Sequence, residues 1–158
     1  MRYIEAPTEY DERDGPRLFL AGGLSDGGNW QLRMASLLAD EEVVLLNPRR
    51  RSFPEDDPAA STTQIEWEYR HIHRADAMLF WFPCETLCPI ALYELGMGVR
   101  TVRPLFVGAH PAYRLRGDLE GRLRLARPEI SIATSLEALV VRVQELVGSA
   151  HIRKGAAT

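Results

Sequence analysis

Short apolar runs alternate with segments of helical character along most of the chain. The run at 77–82 is continuously apolar, which is typical of a central parallel strand covered on both faces. Strands are predicted at 17–21, 43–46, 77–82, 105–107 and, weakly marked, 130–132, and helices at 30–38, 62–75, 89–99, 119–126 and 136–147. The alternation indicates an α/β fold: a single doubly wound, flavodoxin- or Rossmann-like domain with a five-stranded parallel sheet and helices on both faces.

The two ends of the chain lack this pattern. Residues 1–16 are predicted to form a loose N-terminal arm, residues 17–148 the folded domain, and residues 149–158 a flexible tail. Within the domain, Ser61 and Gln64 have the spacing of a capping box. We therefore predict that the helix at 62–75 begins with Ser61 as its cap.

A single charged residue, Glu94, stands in the apolar stretch 86–99. A helix that begins at Pro89 places the small residues Ala91 and Gly98 on the same side as this glutamate. An ionised carboxylate without a cation nearby is costly to bury, because desolvation disfavours the charged form. The position therefore favours an acid that faces a ligand, and a surface or capping glutamate is the alternative.

A second acid, Glu68, lies at a similar depth in the preceding helix. Ligands of doubly wound sheets bind at the carboxyl ends of the strands, where the following helices begin. Glu94 and Glu68 are each about five or six residues into their helices, which places both in the ligand-binding half. Asp76 directly precedes a strand, so a structural role at the opposite edge is expected for it. An ordinary solvated glutamate is the alternative for Glu68.

Composition restricts the classes of function. With 46% hydrophobic residues and a net charge of -3, the chain fits one globular domain without a basic surface for a nucleic acid polymer. No apolar run is long enough to span a membrane and the N-terminus is polar, so we expect no membrane association and a cytoplasmic location. Cys84 and Cys88 are too few for a disulfide framework, and with His71 and His73 they lack the spacing of a metal site. Neither a metal nor a cofactor is predicted.

The turn after the first predicted strand is rich in glycine. Gly22 and Gly23 allow the backbone to approach a sugar or phosphate closely. Asp26 and Asn29 follow, and their side chains can contact hydroxyl groups, although either residue also suits a helix cap. A tight strand-to-helix turn without ligand contacts is the alternative.

Two further groups have both a binding and a structural interpretation. Trp81 and Phe82, near the end of a strand, can stack on a nucleobase or belong to the core. The arginines at 49–51 can bind a phosphate, but the acidic residues 55–57 follow closely. We favour a solvated loop in which these opposite charges neutralise each other.

Four motifs occur in order along the chain. They are FLAGGLSD after the first strand, the spacing from Glu68 to RAD at 74–76, the strand AMLFWF, and YELG at 93–96. Together they resemble the nucleoside 2-deoxyribosyltransferase family and its relatives that hydrolyse nucleoside monophosphates. The resemblance implies that Glu94 is the nucleophile, which attacks the anomeric carbon and forms a glycosyl-enzyme intermediate. It also implies that Phe19 and Gly22 line the sugar side of the pocket.

The chain departs from the family pattern at three places. Glu68 stands where the family has an aspartate that assists the base. Cys88 stands where the transferases have an acid and the hydrolases a phosphate-binding serine. The transferases also use a C-terminal asparagine of a neighbouring subunit, whereas the asparagines of this chain are Asn29 and Asn47. These differences favour hydrolysis or an atypical transfer.

The sequence therefore predicts an enzyme that cleaves or transfers at the N-glycosidic bond of a nucleoside or nucleotide. Glu94 and Glu68 are its predicted catalytic pair. A non-catalytic nucleotide-binding or sensing module with the same pocket is the alternative. The resemblance further implies a homodimer or a larger homo-oligomer. The residues expected to bind the substrate are Phe19, Gly22, Gly23, Asp26, Asn29, Trp81 and Cys88.

Overall fold

The structure is a computed structural model, which describes residues 1–12, 14–23, 28–54 and 56–155, with side chains up to residue 148. All five strands are parallel and lie in the order β1-β3-β2-β4-β5, so the predicted doubly wound, five-stranded sheet is confirmed. In chain order the elements are β1 Arg2–Glu5, β2 Arg17–Gly22, α1 Trp30–Leu37, β3 Val44–Asn47, α2 Pro58–Arg74, β4 Ala77–Phe82, α3 Pro89–Gly98, β5 Leu105–Ala109, α4 Arg116–Ala126 and α5 Leu136–Gly155.

The hydrophobic core is divided between the two faces of the sheet. Successive side chains of a strand point to opposite faces, so Phe19 and Phe80 pack with α2, α3 and α4, whereas Leu20 and Leu79 pack with α1 and α5. The strand order reverses at β2, because the chain continues from there to β3 on one side and reaches β4 on the other. A ligand crevice is expected at the carboxyl ends of the strands at this switch point.

The opposite edge of the sheet carries an ion pair. Asp76 accepts hydrogen bonds from the backbone N–H of Arg17 at 2.8 Å and from its guanidinium Nε and Nη2 at 3.1 and 3.3 Å. These bonds join the start of β2 to the start of β4. The predicted structural role of Asp76 is confirmed.

The prediction of a loose N-terminal arm is wrong for Arg2–Glu5. This segment forms the edge strand β1, which pairs in parallel with β3 from Arg2 opposite Val44 to Glu5 opposite Asn47. An edge strand is covered less than a central one, and no residue of β1 is fully buried. Its hydrophobic signal is correspondingly weak, which explains why the sequence pattern missed it.

Three other predictions at element boundaries are wrong. Residues 130–132 do not form the fifth strand, and only a single bridge between Ala133 and Gly108 follows them. The cap of α2 is Asp57 rather than Ser61, because its carboxylate accepts from the N–H of Ala59 at 2.9 Å and a proline opens the helix. The expected tail is helical as far as Gly155, since α5 continues to that residue.

No described helix has the length and apolar character needed to cross a membrane.

Candidate active site

A cavity of about 550 Å³ opens at the carboxyl ends of β2 and β3. Its volume lies within the usual range for pockets that bind small molecules. Its wall is formed by the end of β2, the loop after β3, and the facing sides of α2 and α3. One residue of α1 also contributes. The described lining residues are Ala21, Gly22, Gln31, Pro48, Arg49, Arg50, Arg51, Phe53, Gln64, Glu68, Ile90, Ala91 and Glu94.

Glu94 lies on α3, which begins at Pro89 as predicted, and its side chain lines the cavity. The residue is only 6% exposed, and its carboxyl group makes no hydrogen bond or ion pair with a described residue. Burial and, to a smaller extent, the negative charge of Glu68 raise the pKa of Glu94 from 4.5 to about 8. At neutral pH the carboxyl group of Glu94 is therefore mainly protonated.

Glu68 lines the same cavity from α2 in a more polar environment. Its carboxylate accepts a hydrogen bond from the side-chain amide of Gln64 at 2.7 Å, and the same amide donates to the carbonyl oxygen of Pro48 at 2.6 Å. Burial raises the pKa of Glu68, whereas the hydrogen bond from Gln64 and the charge of Arg50 oppose this shift. The two carboxyl groups thus face one space, and their surroundings separate their protonation equilibria.

Gly22 lies in the cavity wall together with both glutamates. A side chain at this position would collide with Trp30, since a Cβ atom would lie 2.7 Å from its Cζ2 atom. Phe19, by contrast, is fully buried in the core, with its ring centroid 6.4 Å from that of Trp67. It lies three positions before the end of β2, too deep in the sheet to reach the cavity.

Trp81 and Asn29 line a second cavity of about 510 Å³. Trp81 packs on the face of the sheet that α1 and α5 cover, because its position in β4 has the opposite parity to those of Phe80 and Phe82. The side chain of Asn29 caps α1 by accepting from the N–H of Leu32 at 3.1 Å. The structure does not bring these two residues together with the glutamates. Asp26 lies outside the described residues.

Cys88 is buried at the start of α3 and is not among the described residues that line the cavity. Its backbone has a positive φ of 52°, and its thiol donates to the carbonyl oxygen of Thr86 at 3.4 Å. Burial raises the pKa of this thiol to about 11, so it is neutral at physiological pH. Gly23 packs directly against the Cys88 sulfur, which leaves no space for a side chain at position 23. Neither residue is therefore placed in the cavity with the two glutamates.

The structure adds polar residues that the sequence did not assign to the site. Gln31 is 1% exposed on α1, and Gln64 lies one turn before Glu68 on α2. Arg49 and Arg50, which we expected in a solvated loop, line the cavity. The spacing of Gln64 and Glu68, four residues apart on a predicted helix, is the only one of these signals visible in the sequence. Among the described residues, no cluster of three or more histidine, cysteine, aspartate or glutamate side chains is arranged to bind a metal.

Comparisons with known proteins show what the chain is similar to. One solved structure that is similar is the 2-deoxyribosyltransferase from the psychrotolerant bacterium Bacillus psychrosaccharolyticus, with 18% sequence identity and a TM-score of 0.48 over 59% of this chain and 72% of that chain. No curated protein matches the sequence. Residues 15–113, more than half of the chain, match the family model described as nucleoside 2-deoxyribosyltransferase like. The chain therefore belongs to the nucleoside 2-deoxyribosyltransferase-like family.

Proposed function

We propose that the protein cleaves or transfers at the N-glycosidic bond of a (deoxy)nucleoside or nucleotide through a glycosyl-enzyme intermediate on Glu94. The observation that carries this proposal is the pair Glu94 and Glu68, which two helices hold in one cavity at the switch point of the sheet. Membership of the family supports glycosyl transfer at nucleosides. Retaining glycosyl transfer uses two carboxyl groups in different protonation states, and the surroundings of these two provide that difference.

The two carboxyl groups divide the chemistry between them. In the first step the Glu94 carboxylate forms a bond to the anomeric carbon while the bond to the base breaks, and Glu68 gives its proton to the leaving base. In the second step water or another base attacks the same carbon. Glu94 then leaves as a carboxylate, and Glu68 accepts the proton of the nucleophile. Gly22 and Ala91 keep the wall beside the reacting sugar free of bulky side chains.

The mechanism requires the proton of the pair to be on Glu68. Burial raises the pKa of both carboxyl groups, and the charge of Glu68 raises that of Glu94 further, to about 8, so the last proton of the pair to be lost is on Glu94. At neutral pH Glu94 mainly holds this proton, so the reactive form, with Glu94 ionised and Glu68 protonated, is a minor fraction of the protein. Positive charge that develops on the sugar in the transition state stabilises the ionised form of Glu94.

The proposal is tested by incubating the purified protein with deoxyribonucleosides, ribonucleosides and their monophosphates, and measuring free base. We expect release from at least one of them, and its loss in Glu94→Ala. Glu66→Gln, which changes an exposed acid on α2, is the matched control. The proposal fails if no member of the panel releases base faster with the parent protein than with Glu94→Ala.

A non-catalytic nucleotide-binding module is the second candidate function. The observation that favours it is the neutral state of Glu94, together with the buried, neutral thiol at Cys88. Calorimetric titration with the same panel separates the two functions. Saturable binding without base release supports the module, and turnover excludes it.

We further propose that the protein forms a homodimer or a larger homo-oligomer through α2 and α3. Both helices expose large apolar side chains: Ile65 and Tyr69 are each 65% exposed on α2, and Ile90 and Tyr93 are 64% and 66% exposed on α3. Their spacings of three or four residues align them into stripes, and Ile90 also lines the cavity. Sedimentation analysis should show an oligomer that Tyr93→Lys dissociates. A monomer at micromolar concentration would contradict this assignment.

A further inference from the structure

Five buried polar atoms, all of residues that line the cavity, have no hydrogen-bond partner among the described residues. They are Nη1 of Arg49, Nε and Nη2 of Arg50, and the side-chain oxygens of Gln31 and Gln64. All four residues line the cavity that contains the two glutamates. Buried polar groups in proteins nearly always have partners, since an unpaired one is costly. The three arginine nitrogens need hydrogen-bond acceptors and the two glutamine oxygens need donors, so the nitrogens indicate a ligand that brings several acceptor oxygens into this cavity.

The unpaired edge of Arg50 has the form of a two-pronged donor. Nε–H and one N–H of Nη2 point in the same direction along this edge, so together they bind a pair of oxygen atoms. Arg17 uses the same two nitrogens to hold Asp76 at 3.1 and 3.3 Å. The guanidinium of Arg50 lies 5.5 Å from the ring centroid of Phe53, which supports it from one side. Phe53 therefore helps to hold the fork in position.

The loop that carries these arginines is anchored on both sides of Arg50. The fully buried side chain of Asn47 accepts from the N–H of Arg49 at 3.0 Å and donates to its carbonyl oxygen at 2.9 Å. The N–H of Arg51 donates to the carboxylate of Glu5 at 2.8 Å. Strand β1, which provides Glu5, thus helps to hold the arginine loop in place.

The charges of the wall favour an anion at this position. The guanidinium of Arg51 pairs with Glu5 at 3.6 Å, whereas those of Arg49 and Arg50 form no ion pair with a described residue. Glu68 interacts with Arg50 only through the longer-range electrostatic field, and its own hydrogen bond comes from Gln64. Two guanidiniums with three unpaired N–H-bearing nitrogens match the three terminal oxygens and the double negative charge of a phosphate group.

We propose that Arg49 and Arg50 form a phosphate-binding subsite, with the fork of Arg50 holding two phosphate oxygens and Nη1 of Arg49 the third. The phosphate belongs either to a nucleotide substrate or to free phosphate bound beside a nucleoside. The first case rests on the proposed function of the cavity, whereas the binding of phosphate itself does not require turnover. The subsite lies on the loop after β3, away from Cys88 at the start of α3.

The test is calorimetric titration of the Glu94→Gln protein, in which the proposed chemistry is blocked, with three ligands. These are a nucleoside, the corresponding nucleoside 5'-monophosphate and inorganic phosphate. Arg50→Gln removes the charge and the fork, and Arg50→Lys keeps the charge without the fork. Arg100→Gln changes an exposed arginine just after α3 and is the matched control. Thermal unfolding of each variant verifies that it is folded.

If the phosphate belongs to the substrate, the monophosphate binds about tenfold or more tightly than the nucleoside, and Arg50→Gln removes this advantage. Arg50→Lys retains part of it, and Arg100→Gln changes it by less than about twofold. If free phosphate is the ligand, inorganic phosphate binds with an affinity that depends on Arg50, while the monophosphate has no advantage. The subsite is refuted if Arg50→Gln weakens neither ligand in a folded protein.

Failure of this inference differs from failure of the proposed function. If the monophosphate binds through Arg50 but the parent protein releases no base, the phosphate subsite is supported and the proposed cleavage or transfer is refuted. If nucleosides release base but substitution of Arg50 does not affect the binding of any phosphate, the proposed reaction is supported and the phosphate subsite is refuted.

Discussion

Replacing Glu94 by glutamine should stabilise the folded protein at neutral pH. The variant keeps the shape of the side chain and removes an acid whose pKa is raised from 4.5 to about 8. Below the ordinary pKa both folded and unfolded states are protonated, so the acid has no effect on stability. As the pH rises, the unfolded state ionises first and is favoured, until Glu94 ionises in the folded state as well. One pKa unit corresponds to about 1.4 kcal/mol, which gives a destabilisation of about 3 kcal/mol at pH 7.

The assay is urea unfolding of the parent protein and the variant at pH 5 and pH 7. The free energy of unfolding of Glu94→Gln should exceed that of the parent by about 3 kcal/mol at pH 7 and by about 1 kcal/mol or less at pH 5. Glu66→Gln should show no such pH-dependent gain, because Glu66 is on the exposed side of α2. An equal difference between Glu94→Gln and the parent at both pH values would refute the raised pKa, and with it the desolvated environment of Glu94.

The remaining predictions concern the reaction and the second cavity. The pH profile of kcat/KM should fall above about pH 8, because the pair then loses the proton that Glu68 must give to the leaving base. A rise through this range would show that the reaction needs ionised Glu94 but no proton from Glu68. Trp81→Phe should leave the KM for nucleosides within about twofold of the parent value. It should lower the free energy of unfolding by about 1 kcal/mol or more, because Trp81 packs against α1 and α5. A large rise in KM for a variant of unchanged stability would show that Trp81 contacts the substrate.

The sequence predicted the position of Glu94 because several local signals agree there. Pro89 fixes the start of the helix, and the preceding strand places this helix start at the ligand edge of the sheet. The small residues Ala91 and Gly98 share the side of Glu94, which favours its burial, although Ile90 and Tyr93 of the same apolar stretch are exposed. Glu68 does line the cavity, but the argument from its depth in the helix was wrong, because α2 begins at Pro58 and Glu68 therefore lies ten residues after the start rather than about six.

The arginine loop was misjudged because its conformation depends on contacts that are distant in sequence. The acidic residues after it suggested local neutralisation, but Arg51 pairs with Glu5 of the unpredicted strand β1, and Asn47 fixes the backbone at Arg49. The orientation of Trp81 was equally hidden, because a continuously apolar strand gives no sign of which residues face which side. Local patterns thus predict elements, whereas the polarity of the pocket wall depends on tertiary contacts.

The phosphate subsite and the glutamate pair are connected through Arg50. Its charge partly offsets the rise that burial causes in the pKa of Glu68. The pKa of Glu94 is raised mainly by burial and, to a smaller extent, by the charge of Glu68. A phosphate on the Arg50 fork would offset this positive charge and place negative charge nearer to Glu68 than to Glu94, so the proton of the pair should move toward Glu68. That is the protonation state in which Glu94 can attack. Because the added negative charge also raises the pKa at which the pair loses this proton, for a monophosphate substrate we expect the descending limb of kcat, which reports the bound state, at a higher pH than that of kcat/KM, which reports the free protein. Limbs at the same pH for a substrate that binds through Arg50 would show that the subsite and the glutamate pair act independently.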